Sequence, residues 1–250
     1  ELDKNENFET EKTKIIEFDD LNKAIRQLTN RNRRVFLQQK EFIENASHEL
    51  QTPIAIFHSK LDVLMQHEGL SESMADTISE LEATAQRMSK LNKNLLLLSK
   101  IDNEQFIERE SVDLQAVIRD LYIKIKPIAE SNQLKTTSSI HEGVIWANKT
   151  LIEVLITNLF HNAVRHTEEK GVIDIVFENH TLTVSNSGKP LSIDAGKIFE
   201  RFKKDSRHTE STGLGLAIVR KICDISGYTL TYTYGNGQHH FIVIFPSTST

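Results

Sequence analysis

The sequence predicts two architectures in series: a helical hairpin that dimerises into a four-helix bundle, followed by an α/β sandwich with a mixed sheet. Three observations carry this. Leu50, Ile54, Phe57, Leu61 and Leu64 recur at coiled-coil spacing, the seam of a helix that packs on other helices. A second helical pattern follows a break at Gly69. Beyond Ile101 short strand-like runs alternate with helical ones, the mark of a layered domain. A chain of 250 residues is long enough for two such units.

The first 30 residues are polar, with Phe8, Ile15, Ile16, Phe18, Leu21, Ile25 and Leu28 as a weak apolar face. Residues 1–30 are expected to form a helical connector, with residues 1–12 read as a partly disordered terminus. A long helix is predicted over 22–67, since Leu28, Val35 and Phe42 precede the seam at intervals of seven. Pro53 lies inside it, where it removes a backbone donor at a cost of about 3 kcal/mol, so a kink near a working site is expected. Ser71 or Ser73 can cap the second helix, whose apolar positions run Met74, Ile78, Leu81, Ala85, Met88, Leu91, Leu95 and Leu98. A lone hairpin leaves apolar surface uncovered, and pairing of two copies is the natural solution. This places a dimerisation unit at 31–103 and a second domain at 104–250, with the boundary near 101–107. In the latter, strands are expected at 144–146, 171–177, 181–185, 228–234 and 241–245, and helices at 114–130, 149–165 and 214–226. Glu178-Asn179-His180 and Gly235-Asn236-Gly237-Gln238 read as hairpin turns.

Composition excludes several classes. The net charge of −5 offers no basic excess for a nucleic-acid backbone, so no nucleic-acid partner is expected. Cys223 is the single cysteine, which rules out an internal disulfide and any zinc spacing. No apolar run approaches the roughly 18 residues of a membrane span. The chain begins at Glu1 without a methionine, so it reads as a fragment of a longer protein.

Four constellations carry chemistry. In Ser47-His48-Glu49-Leu50-Gln51-Thr52-Pro53 a histidine is followed at once by a carboxylate, with a hydroxyl one turn on. A neutral imidazole keeps a lone pair that can accept a phosphoryl group. Glu49 can take the proton from its other nitrogen, and Thr52 shares the helix face. An exposed helical histidine with no role is the bland alternative. In Asn158-Leu-Phe-His-Asn162-Ala-Val-Arg165-His166-Thr167, two asparagines share one helix face, an unfavourable use of a helix interior. Amide oxygens suit Mg²⁺, and Arg165 suits phosphate. Asn186-Ser187-Gly188 ends a strand, where a side chain can read the edge of a base. Gly213-Leu214-Gly215 opens a helix whose N-terminus attracts anions. The polar stretch between Gly188 and Gly213, anchored by Leu191, Ile193, Ile198, Phe199 and Phe202, reads as a lid.

In this order and spacing, these residues resemble the sensor histidine kinases of two-component signalling over about residues 20–250. The resemblance implies a phosphotransfer hairpin joined to a Bergerat-type ATP-binding domain. It implies that His48 is the phosphorylated residue, Glu49 the adjacent base, and Thr52 the residue that positions water for dephosphorylating a response regulator. ATP and Mg²⁺ are the implied cofactors, with Asn162 on the metal. Asn158, Arg165, His166, Asn186, Gly188, Phe199, Phe202, Gly213, Leu214 and Gly215 are implied to surround the nucleotide. A homodimer and a response-regulator receiver domain are the implied partners, residues 1–30 the implied signal-transmitting linker, and the cytoplasmic side of a bacterial inner-membrane protein the implied location. Three departures stand out. The family presents an aspartate to adenine where this chain has Asn186, so ATP binding is expected to be retained but weaker. Lys189-Pro190 replace a usual glycine after Gly188, and Ser211 stands where glycine is common. The competing readings are a non-catalytic dimeric scaffold with a decayed nucleotide site and a clamp-type ATPase of the same ATP-binding fold.

Overall fold

The computed structural model describes residues 16–67, 70–102, 106, 108–203 and 212–246. Phe8 and Ile15 of the expected connector, the Gly69 break and Ser211 lie outside the described residues.

Helix α1 spans Ile16–Met65 and α2 spans Glu72–Asp102. At 1.5 Å per residue α1 is roughly 75 Å long. The apolar pattern understated its start by six residues, because the polar segment from Glu17 offers little face to read. Of the two candidate caps, Ser71 takes the role: its hydroxyl accepts from Met74 N–H. Pro53 sits within α1, which continues through it. Because proline has no N–H, the Glu49 carbonyl has no helical donor four residues on.

The hairpin splits the predicted seam in two. Leu61 on α1 packs with Ile78 and Ala85 on α2, and Ile54 on α1 and Asn92 on α2 are buried as well. His58 pairs with Glu82 across the hairpin at 2.9 Å. Leu50, Phe57 and Leu64, with Met74, Leu81 and Met88, keep the same seven-residue step but stay exposed. Upstream, Leu28, Val35 and Phe42 are exposed as well.

The remaining chain forms β1 (Glu110–Asp113), α3 (Leu114–Ser131), β2 (Lys135–Ile140), β3 (Val144–Ala147) and α4 (Lys149–His166). It continues with β4 (Val172–Glu178), β5 (Thr181–Ser187), a single 3-10 turn at Ala195–Lys197, α5 (Gly215–Ser226), β6 (Thr229–Gly235) and β7 (Gln238–Ile244). Five strands form one mixed sheet in the order β2-β4-β5-β7-β6, with β2 parallel to β4 and the other pairs antiparallel. β1 and β3 make a separate antiparallel ribbon. Asp113 and Asn148 cap α3 and α4 by accepting from Ala116 and Leu151 N–H. Asn236 and Gly237 both have positive φ, which closes the β6–β7 hairpin in two residues.

Burial alternates along the sheet. Ile173, Ile175 and Phe177 of β4, Leu182 and Val184 of β5, and Phe241 and Val243 of β7 point to one face. They pack with Ile152, Leu155, Ile156 and Leu159 of α4 and Ile218, Val219 and Ile222 of α5 in one core. The architecture is therefore a helical hairpin followed by a two-layer α/β sandwich with a mixed sheet, as the sequence pattern predicts. Leu98 and Ile101 at the end of α2 belong to the sandwich core, so the two parts are joined by packing as well as by the chain.

Candidate functional site

A cavity opens where α4, the end of β5, the start of β7 and the loop into α5 meet α2. Seven residues nominated from sequence line it: Asn158, Asn162, Arg165 and His166 from α4, Asn186 from β5, and Gly213 and Gly215 before α5. They come from three separate stretches of sequence, and the fold brings them together.

One end of the cavity is built by the sheet. β5 alternates inward residues Leu182, Val184 and Asn186, so Asn186 occupies a position where the core pattern calls for an apolar side chain. It is 1% exposed. Its amide nitrogen donates to the Ser187 carbonyl at 3.3 Å, while its side-chain oxygen is buried without a hydrogen-bond partner. A buried, unsatisfied acceptor costs about 1–3 kcal/mol, and a ligand donor arriving here would remove that cost. His239 stands opposite Asn186 in the β5–β7 register and lines the same wall. Its Nδ1 is 2.8 Å from the Tyr232 hydroxyl. Phe241, Leu191 and Ile193 supply apolar lining.

The other end is cationic. Lys90, Arg165 and Lys203 all line the cavity. Burial, and then the charge of Arg165, hold the Lys90 ammonium below its ordinary range. Burial, Lys90 and Arg165, in that order, push the His161 imidazole down. Like charges gathered this closely favour an anion between them. Helix α5 adds to this: Leu214 provides no side-chain cap, so the first N–H groups of the helix are open to an anionic ligand. Asn158 donates to the Val154 carbonyl at 2.8 Å, and a Cβ built on Gly215 would lie 3.0 Å from its oxygen. Asn158 is therefore fixed against the start of α5, whereas Asn162 faces the cavity one turn further along. Among the described residues no group of three His, Cys, Asp or Glu side chains is arranged to hold a metal ion. A cation here would depend on the Asn162 amide oxygen and on ligand phosphates, a donor set that suits Mg²⁺.

Four nominated residues surround the cavity without lining it. Leu214 is fully buried beneath it. A Cβ on Gly188 would come within 2.9 Å of His239 Nε2, so this glycine lets β7 pack closely behind the wall. Phe199 is partly buried against the core. Phe202 corrects an expectation: its side chain is 58% exposed and does not anchor the lid. Its φ is 63°, and its backbone is held by Phe202 N–H donating to Gly213 O at 2.8 Å. That bond ties Phe202, inside the lid segment, to Gly213 at the segment's far end. Gly213 itself has φ +67, and a Cβ there would lie 2.8 Å from the Phe202 backbone, so glycine is required.

His48, Glu49 and Thr52 are exposed on α1. The Asn92 amide of α2 donates to the Ser47 carbonyl at 2.6 Å, one residue before His48. Lys90 and Asn94, on the opposite face of α2 from Asn92, line the cavity. The helix carrying His48 and the cavity thus touch opposite faces of α2. Sequence reasoning missed Lys90, Asn94, His161 and His239. The first two sit in a helix whose apolar pattern masks them. His239 was legible only through its register with Asn186. Asp102, at the end of α2, accepts from Arg201 at 2.9 Å and Lys221 at 2.7 Å, tying the hairpin to the lid rim and to α5. Cys223 is buried, and burial pushes its thiol up to about 12.

Two family models match the chain. Residues 38–104 match the His Kinase A (phospho-acceptor) domain, and residues 147–249 match the Histidine kinase-, DNA gyrase B-, and HSP90-like ATPase. Among curated proteins, the Heme sensor protein HssS of Staphylococcus aureus strain MSSA476 is 31% identical over 204 residues, covering 79% of this chain and 44% of its own. The same protein from strain JH9 matches to the same extent. The chain spans less than half the length of these relatives. Among solved structures, full-length ShkA in complex with AMPPNP superposes with a TM-score of 0.62 at 20% identity, over 84% of this chain and 47% of that one. The Acinetobacter baumannii histidine kinase AdeS superposes with a TM-score of 0.57 at 21% identity, over 81% of this chain and 98% of that one. These two likenesses concern the fold. With both modules present in order, the chain belongs to the sensor histidine kinases and comprises their phospho-acceptor and ATP-binding parts.

Proposed function

We propose that ATP bound in the α4–β5–α5 cavity phosphorylates His48, and that the phosphoryl group then passes to an aspartate of a response-regulator receiver domain. The observation that carries this is the convergence of Asn158, Asn162, Arg165, His166, Asn186, Gly213 and Gly215 on one cavity with a polar base end and a cationic phosphate end. Asn186 accepts from the adenine amino group with its unpaired oxygen. Arg165, Lys90 and the N-terminus of α5 hold the phosphates, and Gly213 lets the lid rim close on them. Asn162 would hold Mg²⁺, which would supply neutralising charge for the phosphates. A ring nitrogen of His48 attacks the γ-phosphorus, the diphosphate leaves, and Glu49 takes the proton from the other nitrogen. Thr52, on the face of His48, positions water for the opposite reaction, removal of phosphate from the regulator. Phe199 and the backbone of Phe202 fix the base of the lid.

Homodimerisation follows from the open seam. Leu50, Phe57, Leu64, Leu81 and Met88 keep heptad steps yet are exposed, and a second copy of the hairpin is the surface that matches them. Residues 31–103 serve as this dimerisation and phosphotransfer unit, 104–250 as the ATP-binding domain, and 1–30 as the linker from a sensor in a membrane-anchored parent. No helix among the described residues is long and apolar enough to cross a membrane. The test uses γ-labelled ATP with Mg²⁺. Wild-type protein should acquire acid-labile label, and His48→Gln should acquire none. Unlabelled wild type would favour the scaffold reading, and free phosphate release that survives His48→Gln would favour the clamp-type ATPase.

A further inference from the structure

The base end of the cavity carries no fixed charge, and both of its polar side chains can either donate or accept. Asn186 is one of them. A carboxylate in its place would only accept, which suits the 6-amino group of adenine and repels the 6-oxo group of hypoxanthine or guanine. The Asn186 amide presents an unpaired buried oxygen in its resting orientation. That orientation is secured by a single long bond, 3.3 Å to the Ser187 carbonyl. Rotation of the amide turns its N–H toward the ligand and sets its oxygen beside the Ser187 carbonyl, so it costs that long bond and brings two acceptors together. His239, its register partner, is the other. The Tyr232 hydroxyl 2.8 Å from its Nδ1 can donate or accept.

We infer that this site takes 6-oxopurine nucleoside triphosphates as phosphoryl donors alongside ATP, with Asn186 setting the breadth of base selection. The inference rests on the nucleotide-binding reading given above. With inosine triphosphate, the amide N–H of Asn186 donates to O6 in place of the oxygen accepting from N6. The transfer is otherwise unchanged. A His48 nitrogen bonds to the γ-phosphorus, the bond to the bridging oxygen breaks, inosine diphosphate leaves, and the ring proton passes to Glu49.

The experiment compares γ-labelled ATP and inosine triphosphate as donors to the whole chain, in wild type and Asn186→Asp. A neutral hydrogen bond to the base forms with either nucleotide, and the amide turn that inosine requires sets the margin: kcat/KM values within about tenfold of each other are predicted in wild type. The aspartate variant should lower the inosine-to-adenine ratio by about tenfold or more, because a carboxylate then faces O6. A wild-type preference for ATP beyond about tenfold would overturn the inference, as would a ratio that Asn186→Asp leaves unchanged. Should the variant fail to fold, the wild-type ratio alone decides. Should ATP label nothing, the kinase reading fails on its own. Displacement of a fluorescent ATP analogue by the two nucleotides then decides base selection separately, with the same tenfold margin, about 1.4 kcal/mol, dividing support from refutation.

Discussion

Gly213→Ala is the sharpest structural perturbation of the nucleotide site. Two costs follow from the geometry. Alanine at φ +67 is in the left-handed region, at roughly 1–2 kcal/mol. Its Cβ would lie 2.8 Å from two backbone atoms of Phe202, which cannot rotate away as a side chain would. The rim must therefore shift, and the bond from Phe202 N–H to Gly213 O, worth about 1 kcal/mol, is lost. Together these amount to about 2–3 kcal/mol against the closed rim, or a roughly 30- to 150-fold weaker ATP Kd. Isothermal titration with ATP measures this, and a melt without nucleotide shows whether the domain itself remains folded. Gly215→Ala is the internal control: its Cβ would meet only the Asn158 side-chain oxygen at 3.0 Å, and its φ is not in the left-handed region. Its effect should be at least tenfold smaller, about 1.4 kcal/mol less. A Gly213→Ala variant that binds ATP within about twofold of wild type would refute the argument that the lid rim closes through this glycine.

Three further outcomes are expected. Asn186→Asp restores a charged acceptor and should tighten ATP binding by about fivefold, measured by the same titration; unchanged affinity would mean that Asn186 does not read the base. Lys90→Ala should weaken ATP binding by about three- to tenfold and reduce its salt dependence, because the lysine is partly solvated; equal affinity at low and high salt in both proteins would remove α2 from the phosphate site. Burial works to raise the Asp102 carboxyl, but hydrogen bonds and charge from Lys221 and Arg201 outweigh it and leave it below its ordinary value. A depressed carboxylate stabilises the fold above the unfolded-state value of 3.8 and stops doing so as pH falls through its lower folded value. Asp102→Asn should therefore lower Tm near pH 7 by an amount equivalent to about 1 kcal/mol, and the difference should vanish under strongly acidic conditions. A Tm difference independent of pH would show that the ion pairs are not its source.

The long helices and the buried strands were legible because their patterns are strong. Ile173-Asp-Ile-Val-Phe177 alternates cleanly, and the positive-φ pairs Asn179-His180 and Asn236-Gly237 sit where hairpin chemistry placed turns. Strands β1 and β2 were not legible. Glu110-Ser-Val-Asp113 has one apolar residue, and Lys135-Thr-Thr-Ser-Ser-Ile140 lies at a sheet edge with most side chains in solvent, so tertiary pairing rather than pattern makes each a strand. At the site, residues on one helix face could be grouped from spacing, as Asn158, Asn162 and Arg165 were. Lys90 and Asn94 could not, because nothing local in α2 says which domain its polar face meets. Phe202 shows the opposite error: an aromatic residue read as an anchor is exposed and held by its backbone.

The central claim is that His48 receives the phosphoryl group. Its most direct test is site mapping by tandem mass spectrometry under neutral, non-acidic conditions, after incubation of the whole chain with ATP and Mg²⁺. The account predicts phosphate on a ring nitrogen of His48, and none when Asn162→Ala removes the proposed metal ligand. Stable phosphate on His58, His161 or a hydroxyl residue, with His48 unmodified, would contradict it.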